Sequence, residues 1–445
     1  MEQSNNNRDR ISSWFIRAAL ILLSVGMLFG LIGGLQYIFP GFLKDSLSFE
    51  KARPLHVSAV LFWIILAASG ALFTYLQHHT GRRIWSPALQ RVQFGLFILT
   101  ILAIFISYFM GWFGGREYWE FPPILSLPIT LAWLLFILNF VRSLGSFKNQ
   151  PVYVWMWMTG LLFFLFTYLE SNLWLIPYFR SNIINDMTIQ WKSYGSMVGA
   201  WNMLIYGSSI YLLDKIGGTK YGRSGMAFGM YFLGLYNLMF NWGHHIYTLP
   251  TYGWLKHISY LVSMTELFIL GRIIYEWRST LTVASRLAHH ETYRYMLAAD
   301  SWIFLNLVLA ILMSIPGINV YTHGTHITVA HAMGTTIGIN SFLLLAYGHD
   351  IFRGDQYSYH YHPKWANIGF WTANVSLLAF WLSLILSGIL KAKWQMTPDA
   401  ERIPFGEMMI KMKPLFIVFG VSGGLLMLGL LVIIVNLLKK SRRKN

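Results

Sequence analysis

Four histidines set the chemistry that this sequence can carry. His56 lies in Arg53-Pro54-Leu55-His56, and His244 and His245 are adjacent in Trp242-Gly243-His244-His245. His331 closes the run His323-Gly324-Thr325-His326-Ile327-Thr328-Val329-Ala330-His331. Each belongs to a long apolar stretch, where an ionisable side chain is costly and suggests a task. All four fall toward the same end of their stretches, so three separate helices bring imidazoles to one depth. Imidazole suits iron and copper, and one axial imidazole is the usual protein attachment of a non-covalent haem. Neighbours on an undistorted helix stand about 100° apart. His244 and His245 therefore converge on one ion only if the chain turns locally or the ion sits between them. Their stretch ends before Pro250.

The elements that must position these side chains are legible from composition. Of 445 residues, 55% are hydrophobic and 12% charged, against about 25% charged in a soluble chain. Mean hydropathy is +0.48. Apolar runs long enough to cross a bilayer recur from end to end. They predict spans at 13–37, 54–77, 88–112, 122–144, 152–178 and 188–213, then at 225–249, 253–277, 292–316, 324–351, 365–390 and 412–438. The expected fold is an all-α integral membrane protein of twelve transmembrane helices, a single domain over 1–445 with no room for a soluble one.

The first span continues without a small-residue cleavage site and reads as retained. Lys and Arg gather on one side: Arg8 and Arg10, Arg82 and Arg83, Lys215 to Arg223, Arg278 to Arg294, and the basic tail at 439–445. That side is the cytoplasm by the positive-inside rule. Both termini are expected there, including the 1–12 segment, whose Asn-rich start (Ser4 to Asn7) is expected to be disordered. The same bias accounts for the net charge of +16, so nucleic acid is not an expected partner. With no cysteine, disulfides, thiolate-held metals and covalently attached haem are excluded.

Further tracts are 30–37 (GLIGGLQY), Gly115-Arg116-Glu117-Tyr118-Trp119-Glu120 before Phe121-Pro122, Tyr321-Thr322-His323-Gly324-Thr325, and Glu266 in the eighth span. With these and its histidines, the chain resembles subunit I of the haem–copper oxidase superfamily over nearly its whole length. Within that superfamily it is most similar to the large subunit of cytochrome-c-dependent nitric oxide reductases. The resemblance implies a bundle of the subunit I type in a bacterial inner membrane. His56 would be an axial ligand of a low-spin haem b, and His331 the proximal ligand of a high-spin haem b. His244 and His245 would hold a non-haem iron, or copper, facing that haem. Glu120 matches a residue that helps bind calcium between haem propionates, and Glu266 would belong to the polar surroundings and proton supply of the centre. Electrons would come from a membrane-anchored or soluble cytochrome c subunit, and nitric oxide would be reduced to nitrous oxide.

The chain departs from that pattern at the site itself. Where the family has a second histidine two residues after the proximal one, this sequence has Met333. Positions two apart point about 200° apart on a helix, so 331 and 333 face opposite ways. Met333 can be an axial ligand, which would raise the haem potential relative to two histidines, or a core methionine. In the sixth span, the family's histidine and two glutamates at four-residue spacing are here Tyr194, Val198 and Asn202. Val198 cannot ligate; Tyr194 ligates as a phenolate or simply packs. The cross-linked His–Tyr pair of oxidases is missing, since Gln190 stands where its histidine would be.

Three alternatives follow: nitric oxide dismutation, dioxygen reduction, or a non-catalytic haem subunit that relays electrons or senses a gas. Glu170 and Asp300 are proton-path residues or helix contacts. His323 and His326 bind propionates or serve the loop. His78, His79, His289, His290, His360 and His362 fall in cytoplasmic loops, and His257 is interfacial.

Overall fold

The computed structural model describes residues 10–352 and 364–443. Ser4 to Asn7, His360 and His362 lie outside the described residues, and so does the side chain of Glu266. Among the described residues the chain forms long helical rods joined by short turns, and each predicted span has its rod. In the first half these are α1 (Arg10–Gln36), α2 (Phe49–Thr80), α3 (Pro87–Phe109), α4 (Ser126–Leu144), α5 (Val152–Glu170) and α6 (Ile183–Gly217). The second half has α7 (Gly225–Phe240), α8 (Gly253–Thr280), α9 (His290–Ser314), α10 (His326–Ile351), α11 (Lys364–Met396) and α12 (Phe405–Arg443). The basic tail is thus helical through Arg443.

The expected count of twelve spans needs qualifying. Among the described residues, nine helices are long and apolar enough to cross a membrane. Of the other three, α6 and α7 fall short, and several side chains of α8 lie outside the described residues. In α6 the stretch 193–213 carries no charge, but Asn202 and the serines at 193, 196, 208 and 209 dilute its apolar residues. The α7 helix has 16 residues, short of the roughly 20 that a bilayer requires. These same three rods surround the His244–His245 pair.

Buried almost all round, α2 is the central post, as its uniformly apolar sequence requires. Small residues set the closest helix contacts, as is usual where lipid offers no hydrophobic drive between helices. A Cβ at Gly160 of α5 would meet the Ala200 carbonyl of α6 at 2.7 Å, and one at Gly429 of α12 would meet the Gly369 carbonyl of α11 at 2.9 Å. Both described ends of the chain lie together. The Arg17 guanidinium donates to Ser441 Oγ (3.1 Å) and to the Ser441 carbonyl (2.6 Å), joining the start of α1 to the end of α12.

Two features of α10 matter for function. It is not uniform: an α-helical segment His326–Met333 widens into a π-helix over Gly334–Ser341 and returns to α over Phe342–Ile351. Its inner end is clamped to α6 by Lys215, whose Nζ is 2.8 Å from both oxygens of Asp350. The Asp350 side chain is 2% exposed and that of Lys215 34%. Removing one partner of a buried pair strands the other charge, at a cost of roughly 3–5 kcal/mol. With Lys215 a third exposed, screening places Lys215→Ala at about 3 kcal/mol or below. Thermal unfolding in detergent should show the loss, and an unchanged midpoint would mean that the pair is structurally idle.

Candidate haem and metal sites

His56 stands on α2 with Nδ1 2.7 Å from the Gly26 carbonyl of α1. Nδ1–H donates to the carbonyl, which fixes the ring and leaves Nε2 as the free nitrogen, the arrangement usual for a ligating histidine. α1 comes close enough only because position 30 has no side chain: a Cβ on Gly30 would lie 2.6 Å from His56 Nδ1. The ring borders a cavity of about 450 Å³ enclosed mainly by α1, α2, α10 and α12, within the range of cofactor pockets. Met333 borders the same cavity, as do Arg53, Tyr118 and His326.

His331, two residues before Met333, is not among the residues lining that cavity. It lies on the other side of α10, close enough to His244 and His245 to interact with both electrostatically. Its Nδ1 is buried. The two side chains therefore face different sides of α10, as the 200° divergence requires.

The local turn required of the histidine pair is present. Beyond Phe240 the α-helix gives way to a 3₁₀ helix, Asn241–Ile246. There the two imidazole centroids stand 4.1 Å apart with ring planes at 40°. His244 Nδ1 is 3.0 Å from Asn241 Oδ1. That same oxygen accepts from Ser263, and the Asn241 carbonyl accepts from Ser259 at 3.0 Å. Asn319 donates to the His244 carbonyl at 3.2 Å. His245 lies flat against Trp191 of α6, with centroids 5.1 Å apart and planes at 8°, and its buried Nδ1 has no partner. A Cβ on Gly195 would meet Trp242 at 2.6 Å, so α6 and the 3₁₀ helix approach closely here. Among the described residues no three His, Asp or Glu side chains already converge on one metal position.

Two buried imidazoles, each with a nitrogen available, and a separate histidine-bordered cavity fit a metal and haem-type groups. Losing an orienting partner of a metal-binding histidine typically costs about 10–100-fold in affinity. Asn241→Ala should weaken metal binding at the pair by that factor, read by metal titration of the purified protein. Wild-type affinity in the variant would rule out the orienting role.

A model of the family described as cytochrome c and quinol oxidase polypeptide I matches residues 10–425. The chain belongs to that family. Its members are membrane oxidoreductases that bind haems and a metal centre. One relative, a nitric oxide reductase subunit from Stutzerimonas stutzeri, is 25% identical over 95% of this chain and 93% of its own length. Cytochrome c oxidase subunit 1 of Rhodobacter capsulatus is 22% identical over 97% of this chain and 86% of its own. In fold, the chain is similar to a solved haem–copper terminal oxidase dimer, with TM-score 0.72 at 15% identity, covering 97% of this chain and 84% of that one.

Against this family background the altered positions have distinct surroundings. Tyr194 packs edge-on against Tyr118, centroids 5.5 Å apart, and its electrostatic partners are Glu120, Glu117 and Arg116 of the α3–α4 loop. Val198 packs into the core, and Asn202 Oδ1 accepts from Asn340 of the π-helix at 3.1 Å. Glu120 Oε1 accepts from Arg53 at 2.9 Å, while Glu117 accepts from the other guanidinium nitrogen at 2.6 Å. The second oxygen of Glu120 is buried and unpartnered. Burial pushes the Glu120 carboxyl above its usual range, against the pull of Arg53, and pushes the neighbouring Tyr118 phenol up to about 12. Glu170 and Asp300 are helix contacts, paired with Lys192 at 2.5 Å and Arg278 at 3.3 Å.

His323 and His326 part company. His326 borders the His56 cavity, its ring 5.4 Å from that of Phe416. His323 turns toward the pair, and burial lowers its pKa. Residue type and spacing alone do not single out Trp191, Asn241, Asn319, Glu117 or the buried His349, which stacks on Tyr295 at 4.7 Å. Of these, only Glu117 lies in a tract that the family resemblance marks.

Proposed function

We propose that this chain is the catalytic subunit of a nitric oxide reductase-type oxidoreductase, taking electrons from a cytochrome c and converting two nitric oxide molecules, two electrons and two protons to nitrous oxide and water. The observation that supports this most is the division at α10: Met333 shares a cavity with His56, while two residues earlier His331 turns to His244 and His245. In this reading His56 and Met333 hold a low-spin haem b, His331 holds a high-spin haem b, and the histidine pair holds iron or copper. When bound, these groups supply electron transfer and Lewis-acid stabilisation of the reduced substrate.

The protein's own contribution is positioning and proton supply. The Gly26 carbonyl and Asn241 fix two imidazoles. Trp191 and Ile246 help keep bulk water from the pair, Ile246 being fully buried. Arg53 offers a cation at the cavity rim for acidic groups of the cofactor. Beside it Glu120, raised by burial, takes up and returns a proton more readily near neutral pH than an exposed glutamate would. Its unpartnered oxygen suits a calcium ligand, and Glu266 on α8 is proposed as a further proton donor.

A second reading has one observation in its favour. With Val198 in the core and Asn202 bonded to Asn340, α6 presents no carboxylate at those positions. A less negatively charged centre favours nitric oxide dismutation or dioxygen reduction over ordinary nitric oxide reduction.

The deciding experiment measures haem, total iron and copper, and nitric oxide consumption on one purified sample. Two haems, one further metal ion and consumption lost in His244→Ala are expected. Haem without further metal or turnover would leave a redox relay or gas sensor on the same fold.

A further inference from the structure

We infer that the paired basic ends of α1 and α12 bind an anionic phospholipid, the guanidinium groups taking its phosphodiester and an apolar strip beyond them taking an acyl chain. The Arg17 guanidinium of α1 is held by Ser441 of α12, through Oγ at 3.1 Å and the carbonyl at 2.6 Å. Both acceptors are neutral, so these bonds orient the charge without cancelling it. Arg10 and Arg442 stand close enough to repel it. Lys439 is exposed one turn before Arg442. The start of α3 is tied to the same end of α1, Gln90 Nε2 donating to Ser12 Oγ at 3.1 Å, and it too is basic, with Arg82, Arg83 and Arg91.

The sequence of these elements supplies no acid at this end. Among the described residues α1 has no Asp or Glu, and α12 has none after Glu407 at its far end. Residues 81–91 have none either. A Cβ at Gly348 would meet Leu437 of α12 at 3.5 Å, but Asp350, two residues on, is engaged by Lys215. Like charges gathered at one helix junction favour an anion among them. A phosphodiester suits the cluster because arginine presents parallel N–H donors to two phosphate oxygens.

The faces that carry these charges continue as apolar ones. On α1, Ile21 and Leu28 share the helix face of Arg17; on α12, Leu428 and Val435 share that of Arg442. All four are about half exposed. A free phosphate would use only the charged part of this arrangement, whereas a lipid uses both. The two helices also wall the His56 cavity, where a Cβ at Gly34 of α1 would meet Phe419 of α12 at 3.1 Å. A lipid bridging their ends therefore braces that wall.

The test is lipid binding by the purified full chain in neutral detergent, read by native mass spectrometry and by thermal unfolding. Phosphatidylglycerol, phosphatidylcholine and inorganic phosphate are compared on wild type, Arg17→Gln, Arg442→Gln and, as a basic control on the α4–α5 turn, Lys148→Gln. Wild type should retain one phosphatidylglycerol and unfold at a higher temperature with it, with no such response to phosphatidylcholine or to phosphate at the same concentration. Affinity should fall roughly fivefold for each guanidinium removed and keep its wild-type value in Lys148→Gln. Arg442→Gln leaves the Arg17–Ser441 bonds in place, so it reports on the lipid even where Arg17→Gln loosens the bundle. Equal responses to both lipids, wild-type affinity in Arg442→Gln, or an equal loss in Lys148→Gln would overturn the inference. A phosphate response matching that of the lipid would overturn it in favour of a free-phosphate site.

Discussion

Met333→His is expected to lower the midpoint potential of the low-spin haem by on the order of 0.1 V, a modest part of the ~0.8 V range that axial ligands command. Thioether sulfur is a weaker donor than imidazole and favours the reduced iron, so a His/Met pair sits higher than two histidines. The structural basis is that Met333 and His56 border one cavity of about 450 Å³. Redox titration of the haem bands checks the shift, and near-infrared spectra of the oxidised protein should lose the sulfur-to-iron charge-transfer feature. An unaltered potential and spectrum would make Met333 a packing residue beside a haem held by His56 alone. Met333→Leu separates ligation from packing, since it keeps the apolar bulk and removes the donor.

His331→Ala should have the larger catalytic effect: one haem of two lost, and nitric oxide consumption reduced to background. His331 is the imidazole that α10 carries on the side away from the His56 cavity, and its Nδ1 is buried. The His56 side should survive, because its ring is held from α1 through the Gly26 carbonyl. Haem counted by extraction, with spectra of the remaining centre, tests both halves of this expectation. Retention of both haems in the variant would move the second haem away from His331 and undo the proposed arrangement.

Imidazoles in apolar helices are the most legible part of the site, because so few residue types can lie there without a reason. His56, His244, His245 and His331 need only their depth. The opposite facing of 331 and 333 needs only helix geometry, and α10 is α-helical over that short stretch. What surrounds the ligands is not legible. Asn241 acts because a 3₁₀ turn folds its side chain back onto His244, and Trp191 because α6 lies against that turn. Such contacts depend on how helices pack, which periodicity does not encode.

The limits of α6 are also harder to read than those of the other rods, because Lys192 and Lys215 at its two ends serve the inter-helix contacts Lys192–Glu170 and Lys215–Asp350. From sequence, His323 belongs with the loop or the propionates, because its approach to His245 depends on a turn whose path the sequence does not specify.

The π-helical stretch of α10 separates two responsibilities within one rod. Above it, Met333 faces the His56 cavity and His331 does not; below it, Asp350 is pinned to Lys215. A uniform α-helix would transmit any rotation of its upper half to its lower half, residue for residue. The wider turns, which carry Asn340 bonded to Asn202 and Ser341 bonded to Trp63, can absorb a small twist by redistributing their backbone hydrogen bonds. The upper half can then turn slightly at 331 and 333 while the anchor below keeps its register. A rod built in two gears lets one end adjust without disturbing the other.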